Sequence, residues 1–211
     1  MTTSTLCLGI PTINRKDLLD EALVVYLDNW RKRHIFIIDN GNQGFQDNPP
    51  YFKVWTPPNN IGVASSWNKI IERAKVLGYS HVMILNDDVV VQKDPYDIEK
   101  FLDENPADIY TGLGYFSFII PIATYDKIGG FDENYYPAYY EDTDFDYRLK
   151  CAEMKILDTD FLLPEVMRVS QSGQKDRSLY DKVFECRKYY ESKWGGSPTQ
   201  EKYKKPFNNE E

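Results

Sequence analysis

The sequence is poor in the residues that staple or metallate small folds. Its three cysteines, Cys7, Cys151 and Cys186, are odd in number and far apart, and no CxxC or Cys/His cluster occurs. That excludes a disulfide framework and a thiolate zinc site, and it reads as reduced thiols in a reducing compartment. There are only two histidines, His34 and His81, both in early strand-like runs where a structural role fits. No apolar run approaches the ~20 residues needed to cross a membrane. The opening Met-Thr-Thr-Ser-Thr lacks the basic and apolar regions of a signal peptide. The expectation is a soluble, cytoplasmic protein with no membrane span. Basic charge is also short: 25 Lys and Arg face 33 Asp and Glu, a net charge of −8. A nucleic-acid backbone is therefore set aside as partner. An acidic chain still binds a diphosphate when a divalent cation sits between them.

What is present is size and aromatics. A chain of 211 residues buries roughly 70% of its unfolded surface, enough to fold without staples. The 16 tyrosines and 4 tryptophans suit a surface that stacks on flat bases or sugar faces, although a Tyr-rich core reads the same. Apolar runs predict strands at Thr5–Ile10 (stopped by Pro11), His34–Ile38, Phe52–Trp55 and His81–Leu85. Helical spacing covers Lys16–Trp30 and Gly62–Leu77, with Gly78 at the second stop. This order predicts an α/β fold with a mostly parallel sheet flanked by helices. Such sheets bind ligands at the carboxyl ends of their strands. Pro11-Thr12, Asp39-Asn40 and Asp87-Asp88 each follow a strand, so three polar sets converge if the strands are neighbours.

The second half is less regular. Ile109–Pro121 reads as one or two strands broken by Gly112 and Gly114, and Gly129-Gly130 turns before Phe131. Helices are expected at Tyr139–Glu153 and Asp176–Trp194, and residues 195–211 read as a polar tail or linker. The division expected is one domain over 1–194, with a nucleotide-binding half (1–95) and an acceptor and catalytic half (96–194).

Two acidic clusters carry chemistry. Asn86-Asp87-Asp88 offers the hard oxygens that Mg2+ and Mn2+ prefer, though an acidic turn capping the next segment fits as well. Glu141-Asp142-Thr143-Asp144-Phe145-Asp146 crowds four carboxylates into six residues. Crowding raises at least one pKa and can poise a base, although a solvated helix N-terminus has the same composition.

Six segments, in order, resemble family-2 glycosyltransferases of the GT-A fold. They are Ile10-Pro11-Thr12-Ile13-Asn14-Arg15, Ile38-Asp39-Asn40-Gly41, Asn59 through Ala64 with Asn68, Leu85-Asn86-Asp87-Asp88-Val89, Gly129-Gly130-Phe131-Asp132-Glu133, and Glu141-Asp142-Thr143-Asp144 with Arg148. The pattern around Asn86 and Glu141 looks most like a rhamnosyltransferase-type branch. The whole chain is similar to the N-terminal domain of large algal-virus glycosyltransferases, which implies further domains and a host cytoplasm. The resemblance implies a Rossmann-like mixed sheet and inverting transfer of a hexose or rhamnose from a UDP- or dTDP-linked nucleotide sugar to a glycan acceptor. It implies that Pro11, Thr12, Asn14, Arg15, Asp39, Asn60, Gly62, Asn68 and Asp87 hold the nucleotide. Asp88, with Asn86, would bind Mn2+ or Mg2+, and Asp142 would be the base with Glu141 beside it.

Two departures stand out. The metal motif opens on Asn86 rather than Asp, and Val169-Ser170-Gln171-Ser172-Gly173 holds no His where many relatives place one; a third metal ligand is left open. The rival readings are a sugar nucleotidyltransferase, which the absence of a Gly-rich basic N-terminal loop disfavours, and a non-catalytic nucleotide-sugar-binding module, which has no need of the Glu141-Asp142 pair.

Overall fold

The structure, a computed structural model, describes residues 5–30, 33–47, 51–112, 114–167 and 177–209. Strands β1 (Leu6–Thr12), β2 (Ile35–Asp39), β3 (Phe52–Trp55) and β4 (His81–Leu85) alternate with helices α1 (Lys16–Asn29) and α2 (Gly62–Val76). Then follow β5 (Val89–Val90), α3 (Pro95–Glu104), β6 (Ile109–Thr111), β7 (Ser117–Pro121), α4 (Ile122–Ile128) and α5 (Glu141–Cys151). The chain ends with β8 (Ile156–Asp158), β9 (Val166–Met167) and α6 (Arg177–Trp194).

Seven strands form one sheet in the order β3-β2-β1-β4-β7-β6-β8, and β5 pairs with β9 apart from it. Strands β1 to β4 run parallel, while β7 lies antiparallel to both β4 and β6. The expected α/β fold with a mostly parallel, mixed sheet is what forms. Both faces of the sheet are covered, so its strands are apolar throughout. One face packs Leu19, Leu23 and Tyr26 of α1 with Ile98 and Leu102 of α3. The other packs Trp67, Ile70 and Ile71 of α2 with Phe145 and Leu149 of α5. At Gly9 a side chain would run into Ile70 at 2.2 Å, so glycine lets α2 lie close on β1.

Pro11 does not stop the first strand. Leu8 N–H donates to His34 O and Asn40 N–H to Thr12 O, so the even residues bond to β2. Pro11 therefore faces β4, where pairing ends at Gly9, and its missing N–H costs no ladder bond. The strand thereby ends two residues later than expected and delivers Thr12 to the edge. Helix α3 is not among the elements expected from periodicity. Its start is nonetheless spelled out: Asp94 caps it by accepting from Tyr96 N–H at 2.8 Å, with Pro95 in the first turn.

The stretch expected to be a polar tail folds back on α6. Lys202 and Tyr203 N–H both donate to Trp194 O at 3.0 Å, and Tyr147 OH donates to Tyr203 O at 2.9 Å. No described helix is long and apolar enough to cross a membrane.

Candidate active site

The sheet order reverses between β1 and β4. Sequence-adjacent strands lie on one side of β1 and β4 on the other, a switch point whose carboxyl edge opens a crevice. Thr12 ends β1 there and Asp87 follows β4. The Thr12 hydroxyl donates to Asp87 Oδ2 at 2.7 Å. Burial pushes the Asp87 carboxyl up to about 6, the Thr12 hydrogen bond and Arg15 pull it down, and the Asp88 charge pushes it up. Asp88 itself is 6% exposed. A cavity of about 150 Å3 lies against both carboxylates, walled by Leu18, Ala22 and Val25 of α1. Asn86 is partly exposed, and its N–H donates to Phe116 O at 3.0 Å.

The other expected nucleotide residues separate into two groups. Pro11, Asn14, Arg15, Asn60 and Gly62 lie along the same edge. Asn14 is exposed in a left-handed conformation, and Arg15 precedes the first turn of α1. Asn60 Oδ1 accepts from Gly62 N–H at 2.9 Å. Gly62 has φ +80°, and a side chain on it would meet Pro137 O at 2.9 Å, so only glycine lets α2 begin there.

Asp39 and Asn68 are a different matter. Asp39 is fully buried, and its oxygens accept from Gly41 N–H, Gln43 N–H and the Gln43 amide. These bonds fold its own turn. Asn68 pins the Gly129-Gly130-Phe131 loop: it donates to Phe131 O and Glu133 Oε1 at 2.9 Å and accepts from Phe131 N–H at 2.8 Å. Its amide is occupied by that seam. Gln43 was not singled out by sequence. Its amide also donates to Thr12 Oγ1 at 3.3 Å, while its own Oε1 is buried without a hydrogen bond among the described residues. A polar side chain four residues past a strand-end Asp is a signal too weak to have found it.

The acidic helix presents its two leading carboxylates differently. Glu141 is 6% exposed, and its Oε2 accepts no hydrogen bond among the described residues. Burial first, then the Asp142 charge, push it up to about 8, so it is protonated at neutral pH and a poor proton acceptor. Asp142 is partly exposed, and its Oδ1 accepts from Thr143 N–H at 2.6 Å and from the Thr143 hydroxyl at 3.1 Å. One turn on, Asp146 accepts from Tyr115 OH at 2.7 Å.

Asp144 faces the opposite way and is fully buried. It accepts from Arg148 Nε at 2.9 Å, Lys193 Nζ at 2.6 Å, Trp194 Nε1 at 2.8 Å and Tyr135 OH at 3.2 Å. Lys193 also reaches Asp132 Oδ2 at 2.6 Å. This binds α6 to the back of α5. Sequence reading did not find Lys193 or Trp194, because no local pattern links a lysine to an acid 49 residues earlier. The segment 169–173, expected to lack a histidine ligand, lies outside the described residues.

The mixed sheet, its switch point and the flanking helices are those of a GT-A fold. The glycosyl transferase family 2 model matches residues 7–147, and the chain belongs to that family. In structure it is similar to a putative nucleotide-diphospho-sugar transferase from Desulfovibrio desulfuricans G20, with TM-score 0.50 and 11% identity, over 88% of this chain and 98% of that one. It is also similar to GalNAc-T7, solved with UDP, GalNAc and Mn2+, with TM-score 0.56 and 13% identity, over 90% of this chain and 50% of that one. At such identities the likeness establishes the fold. A search of curated proteins finds no match.

Proposed function

We propose that the chain transfers a hexose or rhamnose from a UDP- or dTDP-linked donor to a glycan hydroxyl, with inversion at the anomeric carbon. The observation that carries this is the pair of carboxylates at the switch point, buried Asp88 and part-buried Asp87, with Asp87 held by Thr12. Two adjacent acids in a chain of net charge −8 call for a cation before a diphosphate can approach. GalNAc-T7, similar in fold, was solved with UDP and Mn2+.

The donor set fits Mn2+ or Mg2+. Asp88, with Asn86, supplies hard oxygens, and no group of three or more His, Cys, Asp or Glu converges among the described residues. That suits an ion held by one or two carboxylates plus phosphate oxygens. When bound, the ion supplies positive charge to the leaving diphosphate.

The chain's own residues do the rest. Thr12, Asn14, Arg15 and Asn60 hold the nucleotide along the strand edge, with Pro11 and Gly62 shaping the backbone and Asp87 at the ribose. Thr143 orients the Asp142 carboxylate. Asp142 takes the acceptor hydroxyl's proton as that oxygen attacks the anomeric carbon. Glu141, neutral and buried, keeps a second negative charge away from the base. Three free cysteines suit a cytoplasmic setting.

The test is release of UDP or dTDP from UDP-glucose, UDP-GalNAc and dTDP-rhamnose over a panel of glycan acceptors. Chelator should abolish release, and Mn2+ or Mg2+ should restore it. Full turnover in chelator would sink the metal assignment. Binding without turnover would leave a binding module, and pyrophosphate formation from a sugar phosphate would mark a nucleotidyltransferase. A product of retained anomeric configuration would overturn inversion.

A further inference from the structure

Thr12 and Asp39 end β1 and β2, and Asp87 follows β4; the three strands lie side by side in the sheet. Parallel pairing sets Thr12 directly against Asp39, and the Asn40 N–H to Thr12 O bond at 2.9 Å closes that register. Gln43 folds back onto this edge. Its backbone N–H donates to Asp39 Oδ2 at 2.7 Å, and its side-chain amide donates to Asp39 Oδ1 at 3.0 Å and to Thr12 Oγ1 at 3.3 Å. The Thr12 hydroxyl in turn donates to Asp87 Oδ2 at 2.7 Å. Two acids are thus joined across three strand ends by one amide and one hydroxyl.

The direction of the hydrogens in this chain is set by its ends. Both Asp39 oxygens accept backbone N–H groups, Oδ1 from Gly41 at 3.2 Å and Oδ2 from Gln43. Gln43 therefore turns its NH2 to Asp39, because its carbonyl oxygen would meet only another acceptor there. The same NH2 reaches Thr12, whose hydroxyl has one hydrogen and two lone pairs. With a lone pair taken by Gln43, the hydrogen goes to Asp87. One group is left out: Gln43 Oε1 is buried and accepts no hydrogen bond among the described residues. An unpaired buried acceptor is destabilising. The fold carries it and keeps both amide hydrogens on Asp39 and Thr12.

We propose that Gln43 is a positioning residue for the donor nucleotide: it aims the Thr12 hydroxyl at Asp87 and so holds the Asp87 carboxylate ready to accept from a ribose hydroxyl. The inference rests on the nucleotide-sugar reading above, which sets Asp87 at the ribose. A carboxylate free to swing has to be ordered when the ligand arrives, and that ordering weakens binding. One already fixed by a hydroxyl-to-carboxylate bond loses little. Without the Gln43 amide, the Thr12 hydroxyl is free to rotate and Asp87 loses its constant partner. Gln43 acts through Thr12 and needs no contact with the ligand.

Calorimetry with Mn2+ present tests this, with UDP and 2′,3′-dideoxy-UDP as probes. Gln43→Met keeps the bulk of the side chain and removes the amide, while both backbone N–H bonds to Asp39 remain. It should weaken UDP binding by about 3- to 5-fold and leave binding of the dideoxy analogue, which has no ribose hydroxyl, unchanged. In a Thr12→Val background, where the relay is already cut, Gln43→Met should weaken UDP no further; in a Thr12→Ser background, which keeps a hydroxyl, the loss should return. An equal loss for both probes, or an equal loss with and without the hydroxyl at position 12, would make Gln43 a support of the Asp39 turn and overturn the proposal. No loss for UDP would overturn it too. A wild type that binds neither probe would instead sink the nucleotide reading, and the proposal with it.

Discussion

The two acidic sites of this molecule are built in opposite ways. At the edge of β1 and β4 the bonds are to short neutral partners: the Thr12 hydroxyl donates to Asp87, and the backbone N–H of Asn86 donates to the adjoining Phe116 O. Every element involved is a regular strand with a neighbour close by in the fold. At α5 the side away from the crevice is anchored by a buried ionic knot, Asp144 with Arg148, Lys193 and Trp194. Two of those partners lie on a helix at the far end of the chain. In the proposed function the first site presents its oxygens to a ligand. The second commits a fully satisfied charge cluster to rigidity, so that Asp142, on the same helix, can stay partly exposed yet fixed.

If that contrast is right, its largest mark is on stability. Lys193→Met leaves Asp132 and Asp144 without their shared cation in a buried setting. It should cost about 3–5 kcal/mol in denaturant unfolding, and a loss below about 1 kcal/mol would show that the knot is not the anchor. Next comes chemistry without stability. Asp142→Asn should lower kcat by roughly 10²-fold or more while Tm and nucleotide Kd hold; if Glu141→Gln lost turnover and Asp142→Asn did not, the roles would be reversed.

The third mark is a pH slope. Glu141 is raised to about 8 from an ordinary 4.5, so the folded state holds a proton that the unfolded state has released. Its contribution to stability is complete below about 4.5 and is lost as pH rises toward 8, at up to about 1.4 kcal/mol per pH unit. Unfolding curves between pH 5 and 8 should be visibly flatter for Glu141→Gln; parallel curves would remove Glu141 as the source. The smallest effect belongs to the strand edge. Thr12→Val removes the hydroxyl from Asp87 and should weaken UDP binding by about 1 kcal/mol with little change in Tm. A Tm drop matching that of the Lys193 variant would erase the distinction between the two sites.

The same contrast explains what was legible in the sequence. Strands β3 and β4 were readable to the residue, because a buried parallel strand is a short apolar run with turn residues at its ends. The meeting of Thr12 and Asp87 was legible only on the condition that their strands are neighbours, which the sheet order meets. Pro11 misled, since whether proline ends a strand depends on which neighbour its missing N–H faces, and that is set by pairing. Asp39 hydrogen-bonds within its own turn and Asn68 bonds to the loop at Phe131, 63 positions on, partners that no spacing reveals. Asp144 looked like one more acid in a crowded helix start. Its burial depends on Lys193, 49 positions later in the chain, and a contact of that range has no local signature.

The Asp144 knot also sets an order of events during synthesis. The family segment ends at residue 147, and of the four donors to Asp144 only Tyr135 lies within it. Arg148 comes next, but Lys193 and Trp194 emerge from the ribosome some fifty residues later, on the timescale of seconds. Until then the crevice strands can pair while α5 carries a charge with half its partners missing. A chain cut at the family boundary would be frozen at that stage, with its nucleotide edge assembled and its base helix unmoored.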